Sequence, residues 1–308
     1  MLVSRYALAL TLLAASIAVA QDKDLVLYFD YESIDGGTIL NKAGTGLDGT
    51  VNGQIDIVDG GKLGKAARFA AGSYIDLDGA NWPAGTTPRD GMSVLAWVNV
   101  DTLGNDHAIF NARASDSTWL IHPEVRSGGN FRWLLRTDGG TTIFDIRAGA
   151  SVASEWLHFG GVYDSASGAA LYINGEQVGD GPGGSPIAGD WGMGARVGFN
   201  IDNARPFTGM MDDLSIWKRG LTGEEVVAVM EDGAMTAGTA VAEDIPQEWM
   251  AEYIGGRGLA DRYLYEEMDP TVDPLSPENV LIFAAGPLTG TCAPCGSRYM
   301  VVTKGALT

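Results

Sequence analysis

From residue 25 to residue 217 the sequence is a series of short segments in which apolar and polar side chains alternate. In residues 93–100, SVLAWVNV, Val94 and Val98 fall on one face of an extended chain and Trp97 falls on the other. Successive side chains of a strand point to opposite faces. The pattern therefore predicts short strands in this region.

Turn residues separate these segments. The chain contains 43 glycines, and Asn174-Gly175 stands between the apolar residues 171–173 and a polar segment that begins at Glu176. Asn-Gly supplies the positive φ angles of a type I′ turn and predicts a tight hairpin. Many short strands at this spacing predict an antiparallel β-sandwich.

The strand region ends in a strand at residues 211–217, and a short helix is predicted to follow it. Thr222 precedes the helix and Glu225 stands three residues later, which is the spacing of a capping box. Gly233 marks the predicted end of the helix. The predicted apolar face of the helix contains three residues, Val226, Val227 and Met230.

The amino terminus, MLVSRYALALTLLAASIAVA, carries one arginine before an apolar run that ends in Ala18-Val19-Ala20. This order predicts a secretory signal peptide over residues 1–20. A membrane anchor is the alternative, but the apolar run of about 15 residues is shorter than the roughly 20 that span a bilayer. The expected location is secreted, periplasmic or on the cell surface.

The net charge of −19 and the pI of about 4.3 describe an acidic chain. Nucleic acid is excluded as the expected partner, because its phosphates require lysine and arginine. Most of the carboxylates are expected on a solvated surface, although some have the chemistry that calcium requires. With only two cysteines, the sequence predicts no disulfide framework.

The order of motifs over residues 24–233 resembles the laminin-G-like, concanavalin A-like jelly-roll family. The motifs are LVLYFDYES, LDGTVNG, GKLGKAARFAAGSYIDL, MSVLAWVNV, WLHFGGVYDSASGAALYINGEQVG and FTGMMDDLSIWKRGLTGEEV. The resemblance implies a mainly β fold in which two antiparallel sheets pack face to face. It also implies a recognition module for carbohydrate or for a protein at the cell surface.

The same resemblance implies a structural calcium ion where the first and last strands meet. Asp30, in YFDYE, and Asp213, in MMDDL, match those places. Carboxylate oxygens from separate strands suit calcium. The alternative is that both residues are ordinary aspartates on the solvent side of their strands.

Some relatives with this fold are glycosidases, which need two carboxyl groups flanking the scissile bond. The E-x-D-x-x-E signature of one such group is absent, and Glu155 and Glu176 have no partner at a useful spacing. The histidines have no spacing typical of a zinc site or of a nucleophile and its base. They are His107, His122 and His158, the last expected to face the sandwich or to be a packing residue.

Aromatic rings on the surface are the expected platform for a sugar. Four tryptophans lie next to predicted loops, and core packing is the alternative role for each. They are Trp82, Trp119, Trp133 and Trp191.

Residues 234–308 resemble the amino-terminal domain of aldehyde ferredoxin oxidoreductases, and a short α+β fragment is expected there. The motifs are EYIGGRGLA, DPTVDPLSPENVLIFAAGPLTGT and GSRYMVVTK. The resemblance implies a tungsten or molybdenum pterin and a contact between it and Arg298. A guanidinium group suits a phosphate of that cofactor.

An oxidoreductase of this family is therefore the alternative to a binding module. A [4Fe–4S] cluster needs four cysteine thiolates, and Cys292 and Cys295 are two tolerated small residues in the simplest interpretation. The remaining pterin contacts and cluster ligands are expected beyond this sequence. A gene fusion and an interrupted reading frame both explain a cytoplasmic enzyme segment behind a signal peptide. A structural surface protein without a ligand is the third alternative.

Overall fold

The computed structural model describes residues 22–236 and two later strands at residues 281–285 and 298–302. The chain divides into two compact units, residues 1–238 and 239–308. The predicted signal peptide, and most of the α+β fragment expected over residues 234–308, lie outside the described residues. Among the residues that the structure describes, no helix has the length and apolar character needed to cross a membrane.

Short strands make up most of the described first unit. They are β1 (Leu25–Phe29), β2 (Thr38–Ile39), β3 (Gly49–Asn52), β4 (Ile55–Asp59), β5 (Lys65–Phe69), β6 (Tyr74–Asp76), β7 (Gly91–Val100), β8 (His107–Ala108), β9 (Phe110–Arg113), β10 (Trp119–Ile121), β11 (Glu124–Val125), β12 (Phe131–Arg136), β13 (Thr142–Ala148), β14 (Leu157–Asp164), β15 (Gly168–Ile173), β16 (Glu176–Gly181), β17 (Gly194–Val197) and β18 (Gly209–Trp217). The α-helix is α1 (Gly223–Asp232), and 3-10 turns lie at Gly79–Asn81, Asp138–Gly140 and Ala234–Thr236.

The strands form two antiparallel sheets, as the sequence predicts. The first sheet has the order β16-β15-β14-β7-β18-β5-β4, with β1 also paired to β18. The second has the order β2-β3-β6-β17-β9-β10-β12-β11-β8, with β13 also paired to β12. Strand neighbours that are distant in sequence, such as β7 and β18, give the sandwich its crossed-over jelly-roll connections.

The two sheets enclose one hydrophobic core. Val94 and Val98 of the first sheet and Trp133 of the second belong to the same cluster of buried side chains. The Trp133 ring lies where a Cβ atom at Gly161 would stand, within 2.7 Å, so only glycine fits at this point of β14. The indole Nε1–H of Trp133 donates to the carbonyl of Val162 at 3.0 Å, which satisfies a polar group that would otherwise be costly to bury.

Helix α1 covers part of the outer face of the first sheet. The predicted capping box is present: the Thr222 hydroxyl accepts from the Glu225 amide, and the Glu225 carboxylate accepts from the Thr222 amide. The buried side chains differ from the predicted apolar face, because Val226 and Val229 are buried whereas Val227 and Met230 are only partly so. The helix meets the sheet at a slightly different rotation from that set by its hydrophobic pattern.

The hairpin between β15 and β16 is confirmed. Asn174 and Gly175 have φ angles of 52° and 79°, as a type I′ turn requires. The Asn174 side chain also accepts a hydrogen bond from the amide of His158 at 2.8 Å. The turn is thereby attached to the neighbouring strand β14.

His158 packs on the outer face of the first sheet, beneath the region that α1 covers. It is paired in register with Trp97, and the two rings are 5.1 Å apart. The prediction that it is a packing residue is confirmed, because the side chain is 1% exposed. Burial lowers the pKa of His158 to about 3, so the ring is uncharged at neutral pH.

The described part of the second unit is one antiparallel pair of strands. β19 (Leu281–Ala285) pairs with β20 (Arg298–Val302), and the backbone of Arg298 stands opposite that of Ala285. Cys292 and Cys295 lie outside the described residues.

We expect acid to destabilise the sandwich partly through His158, and a His158→Phe variant to lose less stability than the wild type. The unfolded ring binds a proton near pH 6.5, whereas the folded ring does not until about pH 3, so unfolding takes up a proton between these values. Urea unfolding of the whole chain at pH 7, 6 and 5, followed by tryptophan fluorescence, measures the effect. From pH 7 to pH 5 the wild type should lose on the order of 1–2 kcal/mol more than the variant. Equal losses in the two proteins would contradict the assignment.

Candidate functional site

The outer face of the second sheet is the candidate functional site, because strand alternation places polar and aromatic side chains there. In β12, Trp133 and Leu135 point into the core, so Arg132 and Arg136 point outward. β13 continues the pattern, and Asp145 stands on the outer face. The first sheet has no comparable open region at its centre, since helix α1 packs against it.

We call this region the Trp119 face. It contains one tryptophan, one histidine, six arginines and four carboxylates. They are Trp119, His122, Arg113, Arg126, Arg132, Arg136, Arg147, Arg205, Asp106, Glu124, Asp145 and Asp202. Six guanidinium groups against four carboxylates leave this face with a positive excess, whereas the chain as a whole carries −19.

A fully buried carboxylate, Glu124, lies at the centre of the arginines. Its oxygens are 2.8 Å from Arg126 Nη1 and 3.3 Å from Arg205 Nε. His122 Nδ1 lies 2.9 Å from the carboxylate. Burial alone would raise the pKa of Glu124, but the hydrogen bond from His122 and the positive charges of the arginines hold it at about 2. Glu124 is therefore an ionised anchor for the cations around it.

His122 is an uncharged member of this network. Burial lowers the pKa of His122 despite the neighbouring Glu124 carboxylate. Since the carboxylate can only accept, Nδ1 carries the proton and Nε2 is left as an acceptor. Nε2 is buried and has no hydrogen-bond partner among the described residues.

A second carboxylate, Asp145, fixes the outer strands of the face. It binds Arg132 in a bidentate pair, with Nε and Nη2 of the arginine at 2.7 and 2.9 Å. Arg147 Nη2 is also 2.9 Å away. Burial opposes ionisation of Asp145, yet the hydrogen bonds from Arg132 and Arg147 hold its pKa at about 2. Two parallel hydrogen bonds are the strongest arrangement that a guanidinium and a carboxylate form.

Trp119 is the aromatic ring of the face, and three guanidinium groups surround it. The guanidinium carbons of Arg113, Arg136 and Arg205 lie 5.7, 5.9 and 5.3 Å from the ring centroid. The His122 ring is 5.4 Å away. Cations within about 6 Å of an indole face are attracted to its π electrons. Trp119 is half-buried, so part of the ring is open to a ligand.

The arginines beside Trp119 differ in how well they are paired. Arg205 has two carboxylate partners, Asp106 and Glu124. Arg113 approaches Asp202 only to 3.9 Å and donates instead to the carbonyl of Ser117. Among the described residues, Arg136 has no carboxylate within ion-pair distance.

Arg136 binds neutral groups only. Its Nη1 donates to the carbonyl of Trp119 at 3.2 Å, and its Nε donates to the hydroxyl of Thr142 at 3.3 Å. Burial and the positive charge of Arg132 lower the pKa of Arg136. The guanidinium remains charged, because arginine does not lose its proton in proteins at ordinary pH.

The four tryptophans considered as sugar platforms lie in different environments in the structure. Trp133 and Trp191 are core residues, at 0% and 2% exposed. Trp82 packs against Trp191 with ring centroids 4.4 Å apart. Only Trp119 of these four stands on the arginine-rich face.

The site around Asp213 is separate from the Trp119 face, and the structure places Asp30 close to it. Asp30 follows β1, whose Phe29 pairs with Leu214 of β18. Asp213 lies in a bulge of β18 with a φ angle of 48° and is 3% exposed. The Tyr28 hydroxyl donates to Asp213 Oδ1, while the buried Oδ2 has no partner among the described residues.

Two further carboxylates set the electrostatics of Asp213. Burial and the negative charges of Asp212 and Asp30 raise its pKa above the ordinary value, against the opposing hydrogen bond from Tyr28. Asp30 itself is paired with Lys42 Nζ at 3.2 Å. Within residues 22–236, no group of three or more histidine, cysteine, aspartate or glutamate side chains is arranged to hold a metal ion.

The remaining predicted residues do not join either site. Glu155 and Glu176 are exposed, and His107 is buried against Phe207 and the carbonyl of Thr102. Arg298 begins β20, and its predicted contact with a pterin stays a prediction. Glu124 and Asp145 of the Trp119 face are ionised at neutral pH, whereas glycoside hydrolysis needs one carboxyl group that carries a proton.

Comparison with protein families separates the chain into two parts. The model of the concanavalin A-like lectin/glucanases superfamily matches residues 69–227. The model of the aldehyde ferredoxin oxidoreductase N-terminal domain matches residues 234–308.

Solved structures of similar fold cover the β-sandwich at low identity. Domain 4 of AbnA, an extracellular arabinanase from Geobacillus stearothermophilus solved in complex with arabinotriose, covers 67% of this chain and 98% of that domain, with 22% identity and a TM-score of 0.50. The ligand-binding domain of botulinum neurotoxin serotype D, solved in complex with N-acetylneuraminic acid, covers 68% of this chain and 50% of that domain, with 14% identity and a TM-score of 0.50. These likenesses establish the fold.

Curated relatives match the tail alone. The tungsten-containing aldehyde ferredoxin oxidoreductase of Pyrococcus furiosus is 58% identical over 74 residues, and that of Thermococcus kodakarensis is 50% identical over 74 residues. Each match covers 24% of this chain and 12% of the relative. The chain therefore spans about an eighth of the length of these relatives.

Replacing Glu124 by alanine should destabilise the sandwich by about 3 kcal/mol, because Arg126, Arg132 and Arg205 each lose one of two carboxylate partners in a poorly solvated place and His122 loses its acceptor. Urea unfolding of the whole chain measures the loss. Glu155→Ala, which removes an exposed carboxylate, is the matched control and should change stability by less than about 0.5 kcal/mol. A similar small effect for both variants would show that Glu124 does not anchor the arginines.

Proposed function

The chain belongs to the concanavalin A-like lectin/glucanases superfamily, and from this membership we propose that its β-sandwich is a secreted module that binds carbohydrate through the Trp119 face. Export rests on the signal peptide predicted over residues 1–20. A protein at the cell surface is the alternative partner. The family match covers residues 69–227, which include β9 to β13 and so most of this face.

The proposal rests on one observation: the half-buried Trp119 ring lies next to the guanidinium groups of Arg113 and Arg136. A half-buried indole provides a flat apolar surface on which a sugar ring can stack, and its edge is held by the neighbouring strands. The guanidinium groups of Arg113 and Arg136 lie beside it and can donate hydrogen bonds to hydroxyl groups. An apolar platform next to a few fixed polar groups is the usual composition of a small-molecule site.

The sandwich is further proposed to be stabilised by calcium near Asp30 and Asp213. The orphaned Oδ2 of Asp213 and the mutual repulsion of the carboxylates favour a cation at this place. Calcium binds six to eight oxygens, so backbone carbonyls and water would complete the ligands. A bound ion would join the end of β1 to β18. Asp30 would exchange its present partner, Lys42, for the ion.

The tail has a second candidate function, because its identity to aldehyde ferredoxin oxidoreductases is 58% over 74 residues. We propose that residues 234–308 correspond to the beginning of that enzyme domain. Arg298 would supply one phosphate contact to a tungsten or molybdenum pterin, whose metal carries out the oxidation of aldehydes. The described residues of the second unit are two paired strands, which do not enclose a cofactor. Because the match covers 12% of the relative's length, activity on aldehydes remains a proposal.

Trp119→Ala should weaken carbohydrate binding at least tenfold, or about 1.4 kcal/mol, because the stacking surface is lost. A glycan array that includes arabinotriose identifies the saccharides bound by the whole chain, and calorimetry measures their affinity. Val178→Ala, at an exposed position of β16 on the other sheet, is the control and should bind as the wild type does. Unchanged affinity in Trp119→Ala would place the site elsewhere, and no saccharide binding on the array would reject the proposed function.

Calcium should bind the metal-stripped chain and raise its melting temperature. At a concentration 100 times the Kd, the stabilisation is about 2.7 kcal/mol. Calorimetric titration and thermal unfolding with and without calcium measure both effects. Asp30→Ala and Asp213→Ala should weaken or abolish them, whereas Asp56→Ala, at an exposed position of β4, should not. No heat and no change in melting temperature for the wild type would reject the calcium proposal.

A further inference from the structure

We propose that the saccharide bound at the Trp119 face is anionic, carrying a carboxylate or a sulfate group that is held between Arg113 and Arg136. The inference rests on the proposed carbohydrate-binding function and adds the chemical class of the ligand. It depends on where the arginines lie, which of them lack a partner, and how they are placed around the ring.

The charge of the Trp119 face is opposite in sign to the net charge of the chain. The chain carries −19, and such a charge repels an acidic ligand at most of its surface. The Trp119 face departs from this, with six arginines against four carboxylates. The Trp119 face is therefore a favourable place for an acidic saccharide to approach. The attraction there acts within about one Debye length, roughly 8–10 Å.

The six arginines of the Trp119 face differ in whether a carboxylate of the protein neutralises them. Four of the six have close carboxylate partners that hold the strands together, at Glu124, Asp145 and Asp106. Arg136 has none among the described residues, and Arg113 has one only at 3.9 Å. A partly buried guanidinium without a counter-charge is costly. Since no carboxylate of the described residues lies within ion-pair distance of Arg136, a ligand that brings an anion there would be favoured.

Arg113 and Arg136 are both placed close to the ring of Trp119. Both lie beside the Trp119 ring, at 5.7 and 5.9 Å from its centroid, and they come from different strands, β9 and β12. A sugar ring stacked on the indole would present a ring substituent to them. Carboxylate and sulfate are planar or tetrahedral oxyanions that accept paired hydrogen bonds from a guanidinium fork. In this arrangement Trp119 would contact the sugar ring while Arg113 and Arg136 bind its anionic substituent.

A neutral saccharide would use this site less well. Its hydroxyl groups can accept from Arg136, but they leave the positive charge uncompensated in a half-buried position. An acidic polypeptide offers the charge without the sugar ring for Trp119 to stack on. The two features together distinguish an acidic saccharide from either of these ligands.

The test compares matched charged and neutral ligands on the whole chain by titration calorimetry. The probes are trigalacturonate, its methyl ester, and a heparin tetrasaccharide, each at 50 and 300 mM NaCl. At 50 mM NaCl, at least one acidic probe should bind ten times or more tightly than the methyl ester, and the difference should shrink at 300 mM. Tighter binding of trigalacturonate indicates a carboxylate ligand, and tighter binding of the heparin fragment indicates a sulfated one.

Variants separate the charge from the stacking platform. Arg136→Gln should lower affinity for the acidic probe about tenfold and lower affinity for the methyl ester by a much smaller factor, while Arg136→Lys should keep part of the affinity for the acidic probe. Arg89→Gln is the matched control, because Arg89 is an exposed arginine outside this face, paired with Asp138. Circular dichroism and urea unfolding check that the Arg136 variants remain folded.

The outcomes distinguish this inference from the function on which it rests. Equal binding of charged and neutral saccharides, with no effect of Arg136→Gln, would overturn the anionic ligand and leave carbohydrate binding intact. An array without any bound saccharide would overturn both. Polyglutamate that binds as tightly as the acidic saccharide, and independently of Trp119, would replace the saccharide by an acidic protein partner.

Discussion

One buried carboxylate, Glu124, determines what the outer face of the second sheet can be. It has no exposed surface and lies among three arginines and a histidine. Without it, these guanidinium groups would have to remain in a poorly solvated position with too few counter-charges. With it, Arg126 and Arg205 are held in fixed directions, and the arginine-rich surface around Trp119 becomes compatible with a folded sheet.

The two outer faces of the sandwich differ in the side chains that their strands point outward. On the first sheet, outward side chains such as Leu95 and Trp217 are apolar and are covered by Val226 and Val229 of α1. On the second sheet, many outward side chains are charged, and most of the arginines among them pair with carboxylates. Among the described residues, the first sheet is thus covered by a helix of the chain, whereas the second presents a charged outer face.

Sequence patterns predicted the sandwich better than they predicted the site. Alternation in residues 93–100, the Asn174-Gly175 turn and the Thr222–Glu225 capping box depend on local geometry, and each is found in the structure. The apolar face of α1 was predicted less well, since Val229 rather than Met230 is buried. Docking against the sheet, and not helix periodicity alone, decides that rotation.

The Trp119 face was not predicted as a unit, although parts of it were visible. Arg132 and Arg136 alternate with core residues in FRWLLR, which indicates a charged outer face on that strand. That Glu124, Asp106 and Arg205 meet there depends on pairing between strands and loops as distant as residues 106 and 205, which no local pattern reveals. Asp30 and Asp213 were predicted from family motifs, and their adjacency follows from the pairing of β1 with β18.

The central groups of the Trp119 face keep their charges over a wide range of acidity. Its arginines do not release their protons, Glu124 and Asp145 have pKa values of about 2, and burial lowers the pKa of His122. These groups act as permanently fixed charges, as in an ion-exchange resin. Acid would weaken the sandwich through its buried histidines before it changed the charges at the centre of this face.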